Sequence, residues 1–326
     1  MLFINESDMK KSVTYRQVMD KVEDGYRIFA GGKFYMPHRP VIEHDNNTLL
    51  YMPCFIDADK KYFGTKFLTL FPDNPSKGLP FIDGLMILNG GETGEILAIL
   101  DAKFLTALRT GAVGGVGVRC FAPEESRSVG VIGAGKQGFF QLLYACEARN
   151  IEEIFIFDTI LKECDGFIEA LKKELGDKKP LIRVCRTVEE LVTESDIVIT
   201  ATTSSSPVIP DEPGLFSGKC FIAIGSYKPE VRELPNAIWE AVDVVYTELP
   251  FACEESGDLY QPLRDGIIDM GRVRYIGDLL TDNPRPTPPE KGVASYFKSV
   301  GMGLMDLCVS RFIYEEAVNK GIGRQL

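Results

Sequence analysis

The segment Ser128–Gly138, Ser-Val-Gly-Val-Ile-Gly-Ala-Gly-Lys-Gln-Gly, constrains what this chain can fold into more than any other stretch. Ser128–Ile132 reads as an apolar strand, Gly133–Gly138 as a glycine loop and Phe139–Ala148 as a helix. In that order Gly133 makes the tight turn, Gly135 lets the backbone approach a ligand, and Gly138 lets helix and strand pack closely. The loop Gly133, Ala134, Gly135, Lys136, Gln137, Gly138 then offers helix N-terminal amides to a pyrophosphate. Asp158 ends the next apolar run, Ile154–Phe157, and lies 20 residues beyond Gly138. That is the spacing at which an acid accepts from a dinucleotide ribose. Asp158 would repel a 2′-phosphate, and Asp158-Thr159-Ile160-Leu161 contains no arginine, so NAD is expected as cofactor. Lys162 is long enough to reach a phosphate, which keeps NADP as the alternative.

Apolar runs at Leu181–Cys185, Ile197–Thr200, Phe221–Ile224 and Val242–Tyr246 follow, with a helix through Glu169–Leu175 and a capping-box spacing at Thr187-Val188-Glu189-Glu190. This alternation predicts an α/β fold with a Rossmann-type doubly wound parallel sheet. The first hundred residues read differently, as a smaller α+β domain. Thr14 and Gln17 have capping-box spacing, Tyr15, Val18, Met19, Val22, Tyr26 and Phe29 recur at helical spacing, and Gly31-Gly32 can end that helix. Strand-like runs follow at Thr48–Ile56, Tyr62–Phe71 and Phe81–Leu88, and a glycine-rich turn leads to Glu95–Leu100 as a hairpin. Asp101 can cap a helix whose stripe is Leu105, Leu108, Ala112, Val113 and Val116. Thr281–Pro289 reads as a connector, and a last helix over Val300–Val318 returns to the first domain. The expected division is 1–115 with 300–326, and 116–299.

A formal charge of −11 argues against a nucleic-acid surface. Eight cysteines without a C-x-x-C pair and only two histidines suit neither a metal site nor a disulfide framework. The N-terminus lacks a signal-peptide pattern, and no apolar run is long enough to span a bilayer, so a cytoplasmic protein with no membrane partner is expected. His38 and His44 read as exposed loop residues.

Three cations stand out. Arg39 lies between prolines 37 and 40, Lys66 interrupts an apolar strand, and Arg109 interrupts an apolar helical stripe. A buried charge must be paired, so each faces either an internal carboxylate or the carboxylate of a small substrate. A guanidinium grips a carboxylate through parallel N–H groups, and a desolvated lysine can serve as acid or base. If Arg109 pairs instead with an internal carboxylate, its substrate assignment fails.

With these motifs in order, and with Ala107-Leu108-Arg109-Thr110-Gly111-Ala112, Asp196-Ile197-Val198, Thr200-Ala201-Thr202-Thr203 and Lys298-Ser299-Val300-Gly301, the chain resembles the ornithine cyclodeaminase/μ-crystallin family over nearly its whole length. The resemblance implies an NAD(P)-dependent fold whose N-terminal segment and C-terminal helix bind substrate and form a homodimer interface. It implies Arg39 and Arg109 as carboxylate binders and Lys66 as a substrate-contacting catalytic group. Thr110, the glycine loop, Thr202 and Ser299 would face the cofactor. One departure matters: Ile224-Gly225-Ser226-Tyr227-Lys228-Pro229 puts Tyr227 where the cyclodeaminases carry a catalytic aspartate. A neutral phenol cannot pair with the cationic ornithine side chain.

The expected function is therefore NAD(P)H-dependent oxidoreduction at the Cα–N bond of an amino acid or its cyclic imine. Lys66 would handle the proton, with Tyr227 as a second catalytic candidate. Ornithine cyclodeaminase is the alternative, and a dinucleotide-dependent binding protein without turnover is a third reading.

Overall fold

The computed structural model describes residues 1–160, 164–281 and 292–326. Lys162 and all of the connector beyond Thr281 lie outside the described residues. The chain forms two compact units, Met1–Arg109 with Gly301–Leu326, and Thr110–Val300.

The first unit is built on a mixed sheet. Its strands are β1 (Leu2–Ile4), β2 (Phe34–Tyr35), β3 (Val41–His44), β4 (Asn47–Asp57), β5 (Lys61–Leu70), β6 (Ile82–Gly90) and β7 (Ile96–Asp101). The order runs from the C-terminal strand Arg324–Gln325 through β1, β7, β6, β5 and β4 to β2, with β3 also on β4. Only β1 and β7 run parallel; the remaining pairs are antiparallel, as the short turns require. Alternation along β5 turns Tyr62, Gly64, Lys66 and Leu68 inward, toward helix Gly303–Lys320, on which helix Tyr15–Ala30 packs in turn. Gly64 permits this approach, since a Cβ there would lie 2.7 Å from Leu307 Cδ1. The other face is apolar and, among the described residues, partly exposed. It carries Tyr51 against Phe67 and Phe55 stacked on Phe63, with Phe63 and Leu85 exposed.

The helix Tyr15–Ala30 starts where Thr14 predicts. The Thr14 side chain accepts from Gln17 N–H, and Gln17 Oε1 accepts from Thr14 N–H at 2.9 Å. A further helix, Glu6–Ser12, precedes it with its own capping box of Asn5 and Asp8, which the sequence reading does not include. His44 lies in β3 rather than in a loop, and it is exposed. The last helix begins at Gly303 and not at residue 300, after a left-handed Gly301 (φ 77°).

The second unit is an all-parallel sheet of β8 (Ser128–Ile132), β9 (Glu153–Phe157), β10 (Leu181–Val184), β11 (Ile197–Thr200), β12 (Cys220–Ala223), β13 (Val242–Thr247), β14 (Val273–Tyr275) and β15 (Ala294–Lys298). Its order is β10-β9-β8-β11-β12-β15-β13-β14. The sheet is wound in both directions from β8, so the switch point lies between β8 and β11. β14 and β15 escape the sequence reading. The Thr187 box is half formed: Thr187 accepts from Glu190 N–H, but Glu190 Oε2 accepts from Arg186 N–H instead of from the cap residue.

Replacing Thr14 with alanine removes one capping acceptor and should cost about 1 kcal/mol. A urea unfolding curve should show a lower midpoint with an unchanged slope.

Candidate functional site

In a doubly wound sheet, ligands gather at the carboxyl ends of the strands near the switch point. The second unit places its candidate residues there. Gly133 follows β8, Asp158 follows β9, Thr202 follows β11, Tyr227 follows β12 and Ser299 follows β15. The three loop glycines do three different things. Gly133 is left-handed (φ 103°), and a Cβ on it would lie 2.6 Å from Ala201 O across the switch point. A Cβ on Gly138 would lie 2.0 Å from Gly133 O, so only glycine permits the helix to start there. A Cβ on Gly135 would meet nothing within 4 Å, so the space above the loop is open.

The helix itself runs Lys136–Ala148, beginning inside the glycine loop rather than after it, and no side chain caps it. Open amides beside open space fit a dinucleotide pyrophosphate. Asp158 is half-buried and accepts from Ala134 N–H at 2.8 Å and Ile160 N–H at 2.7 Å. It ties the loop to β9. Lys136 is exposed, and Gln137 has a buried Oε1 without a partner. Thr110 is buried, and its carbonyl accepts from Gln141 Nε2 at 2.9 Å.

Thr202 and Ser299 are each held by a buried carboxylate that sequence reasoning did not single out as functional. Glu233 accepts from Thr202 N–H and Oγ1, from Thr200 Oγ1 and from Gly225 N–H, at 2.7–2.9 Å. Glu248 accepts from Ser299 Oγ at 2.8 Å and Val300 N–H at 2.9 Å. Tyr227 is 39% exposed.

The first unit gathers the cations. Lys66, from β5, is fully buried, and its Nζ donates to Asp306 Oδ1 at 2.7 Å. Arg109 is also buried, and its Nε donates to the same Oδ1 at 2.8 Å. The internal carboxylate weighed as the alternative partner of Arg109 is therefore present, but it engages one edge of the guanidinium only. Arg109 Nη1 and Asp306 Oδ2 are both buried without a hydrogen-bond partner. Two cations on one carboxylate leave an excess positive charge and an open donor, which is what an incoming carboxylate requires. Burial pulls Lys66 down to about 7; Asp306 opposes that, while Arg109 and Arg39 add to it. Arg39, half-buried between β2 and β3, thus acts on the same cluster electrostatically.

Asp306 had a signal in the sequence. It is a lone acid in the apolar run Leu304, Met305, Leu307, Val309, the pattern that marked Arg109 from the other side.

A Rossmann domain in one unit and a buried cluster of Lys66, Arg109 and Asp306 in the other point to a dinucleotide-dependent enzyme class, and the comparisons narrow it. The ornithine cyclodeaminase/μ-crystallin family model matches residues 1–321, and the chain belongs to that family. It is 30% identical to a Δ1-pyrroline-2-carboxylate reductase of Bacillus cereus, over 100% of this chain and 99% of that protein. The Thermococcus litoralis Δ1-pyrroline-2-carboxylate reductase, solved with NADH and L-proline, superimposes with a TM-score of 0.92 at 31% identity, covering 100% of both chains. An archaeal alanine dehydrogenase dimer with bound NAD superimposes at 0.88 with 28% identity, over 100% of this chain and 98% of that one.

The loop geometry separates two glycines experimentally. Gly138→Ala should destabilise the fold by about 1–3 kcal/mol through overpacking. Gly135→Ala should leave the melting temperature unchanged and weaken NADH binding at least about tenfold by filling the space over the loop. Thermal melts and NADH fluorescence titration of both variants check the pair.

Proposed function

We propose that the protein is an NAD(P)H-dependent reductase of small cyclic imino acids of the Δ1-pyrroline-2-carboxylate or ketimine type, which run in reverse is an amino-acid dehydrogenase. The observation that carries this reading is the shared Asp306 oxygen, which leaves two buried cations with one carboxylate and Arg109 Nη1 unpaired. Relatives of this chain bear the names of Δ1-pyrroline-2-carboxylate reductase and alanine dehydrogenase, whose substrates share an α-carboxylate beside a carbon–nitrogen bond.

In this reading Arg109, aided by Arg39, holds the substrate carboxylate and fixes which face of the C=N bond is presented. The loop Gly133–Gly138 and Asp158 hold the dinucleotide, with Thr110, Thr202 and Ser299 toward its reactive half. When bound, reduced dinucleotide supplies the hydride that adds to the imine carbon. Lys66, as an ammonium, gives its proton to the imine nitrogen and is left as a neutral amine, which water reprotonates. A group near 7 suits that task, since it is populated as the acid and still gives the proton up readily. Asp158 supports NAD over NADP, because its oxygens can accept ribose hydroxyls and repel a phosphate. Tyr227 is a second candidate for proton handling. As a phenol it does not supply the charge a cyclodeaminase needs for the distal ammonium of ornithine.

The domain assignment is part of the same proposal: residues 1–115 with 300–326 bind substrate and dimerise, and 116–299 bind the cofactor. The occupant proposed for the partly exposed aromatic face of the first sheet is a second copy of this chain. A cytoplasmic location is supported by eight free cysteines, as a reducing compartment maintains them.

The deciding assay follows loss of NADH or NADPH absorbance with Δ1-pyrroline-2-carboxylate. Turnover with NADH preferred is expected, with kcat/KM falling as pH rises through about 7, as Lys66 loses its proton. Lys66→Met should lower kcat by about 10²–10⁴, and Arg109→Lys should raise KM about 10-fold or more. No oxidation of either cofactor, or ammonia release from ornithine without net NADH, would overturn the reading.

The dimer has its own check. Light scattering should give twice the chain mass, and Phe63→Glu should halve it by placing a charge in the apolar face.

A further inference from the structure

We propose that Asp306 is a positioning residue: one oxygen fixes Lys66 and Arg109 side by side, and it leaves the Nη edge of Arg109 for the substrate carboxylate. The inference rests on the reading of Lys66 and Arg109 given above and deepens it.

Geometry carries it. An arginine and a carboxylate with nothing else to satisfy pair through two parallel hydrogen bonds. Here Arg109 uses Nε alone, at 2.8 Å, and Asp306 Oδ1 also accepts from Lys66 Nζ at 2.7 Å. The second oxygen, Oδ2, is buried with no partner, and so is Arg109 Nη1. Neither atom is satisfied by the described protein groups, so the pair does not close on itself as a two-bond arginine–carboxylate pair does. Gly301 contributes to it. A Cβ there would stand 2.7 Å from Nη1 and 2.9 Å from Nη2, so the chain passes the guanidinium closely only because the residue is glycine.

Asp306 also decides the state of Lys66. The charged groups acting on Lys66 are Asp306 on helix Gly303–Lys320, Arg109 on helix Ala102–Phe121, and Arg39 between β2 and β3. Of these only Asp306 favours the ammonium. The thiols of Cys54 and Cys308 act on the same region, and burial pushes both up, Cys308 to about 12, so they stay neutral. Without the Asp306 charge, burial and two guanidinium groups act on Lys66 unopposed. The proton it must deliver is then missing at neutral pH.

Asp306→Asn separates charge from shape. Its carbonyl oxygen can take the place of Oδ1 and keep both hydrogen bonds, while the amide falls where Oδ2 has no partner. Lys66 should be titrated directly by NMR of isotope-labelled lysine side chains, its signal assigned by loss in Lys66→Met. In Asp306→Asn the midpoint should move to the acid side by about one pH unit or more, and the falling limb of kcat/KM should move with it. KM for Δ1-pyrroline-2-carboxylate should stay within about threefold of wild type, because Arg109 keeps its orientation. Asp306→Ala removes both, and should raise KM at least about tenfold over Asp306→Asn. Asp306→Ser, too short to reach both cations, replaces it if the alanine variant does not fold.

An unmoved Lys66 midpoint, or equal KM in Asp306→Asn and the shorter variant, overturns the proposal. The NMR titration needs no turnover. A wild-type protein that reduces no imine but whose Lys66 responds to Asp306→Asn would refute the proposed reaction and leave the coupling standing.

Discussion

Two cations held on one carboxylate oxygen, deep in an apolar sheet-and-helix layer, are the constraint around which the first unit is arranged. Lys66 can be there only because β5 alternates, turning every second residue toward helix Gly303–Lys320, and Asp306 is the residue that helix presents to it. Burying an ammonium alone would cost several kcal/mol or neutralise it. The packing that buries Lys66 therefore makes Asp306 obligatory, and the same carboxylate then recruits Arg109 from a third element. Three segments far apart in the chain are thus pinned at one oxygen. Glycines at 64 and 301 let the backbone come close enough for this, one at Leu307 and one at the guanidinium.

Much of this was legible in the sequence, for a physical reason. Parallel strands buried on both faces read as unbroken apolar runs, so β8 and β11 were delimited to the residue. The Thr14 box was legible because both of its partners lie within four residues. Part of what failed was non-local. β15 gains its identity from pairing between β12 and β13, and β14 has only three residues, so neither makes a pattern of its own. The partner of Glu190 moved by one residue, which spacing alone cannot register.

The site divides along the same line. Gly133, Gly135 and Gly138 act through local backbone geometry, and their three roles could be written down from spacing. Lys66 and Arg109 could be marked as charges out of place, but not assigned a partner. That partner, Asp306, lies 240 residues from Lys66 and 197 from Arg109. Arg109 answers in part to both alternatives, internal acid and ligand acid: Asp306 takes its Nε, and Nη1 has no partner among the described residues. A guanidinium has two edges, and one can serve the fold while the other stays open.

A second buried charge cluster shows why openness, and not burial, marks the first as chemical. In the second unit Lys298 Nζ donates to Asp258 Oδ2 at 3.0 Å, and Asp258 Oδ1 accepts from the backbone N–H groups of Glu233 and Leu234. Glu233 accepts four more hydrogen bonds, although burial pushes its carboxyl upward. Arg232 donates to Leu234 O and to Asn236. Neither carboxylate there leaves an oxygen unpartnered, and the lysine is matched by an acid. Such a network fixes the loops after β11 and β12. The cluster of Lys66, Arg109 and Asp306 has equal burial but ends in an unpartnered donor and an unpartnered acceptor. Buried charges that are fully partnered hold a fold in register, and a cluster left short of partners keeps hydrogen-bonding capacity for a ligand.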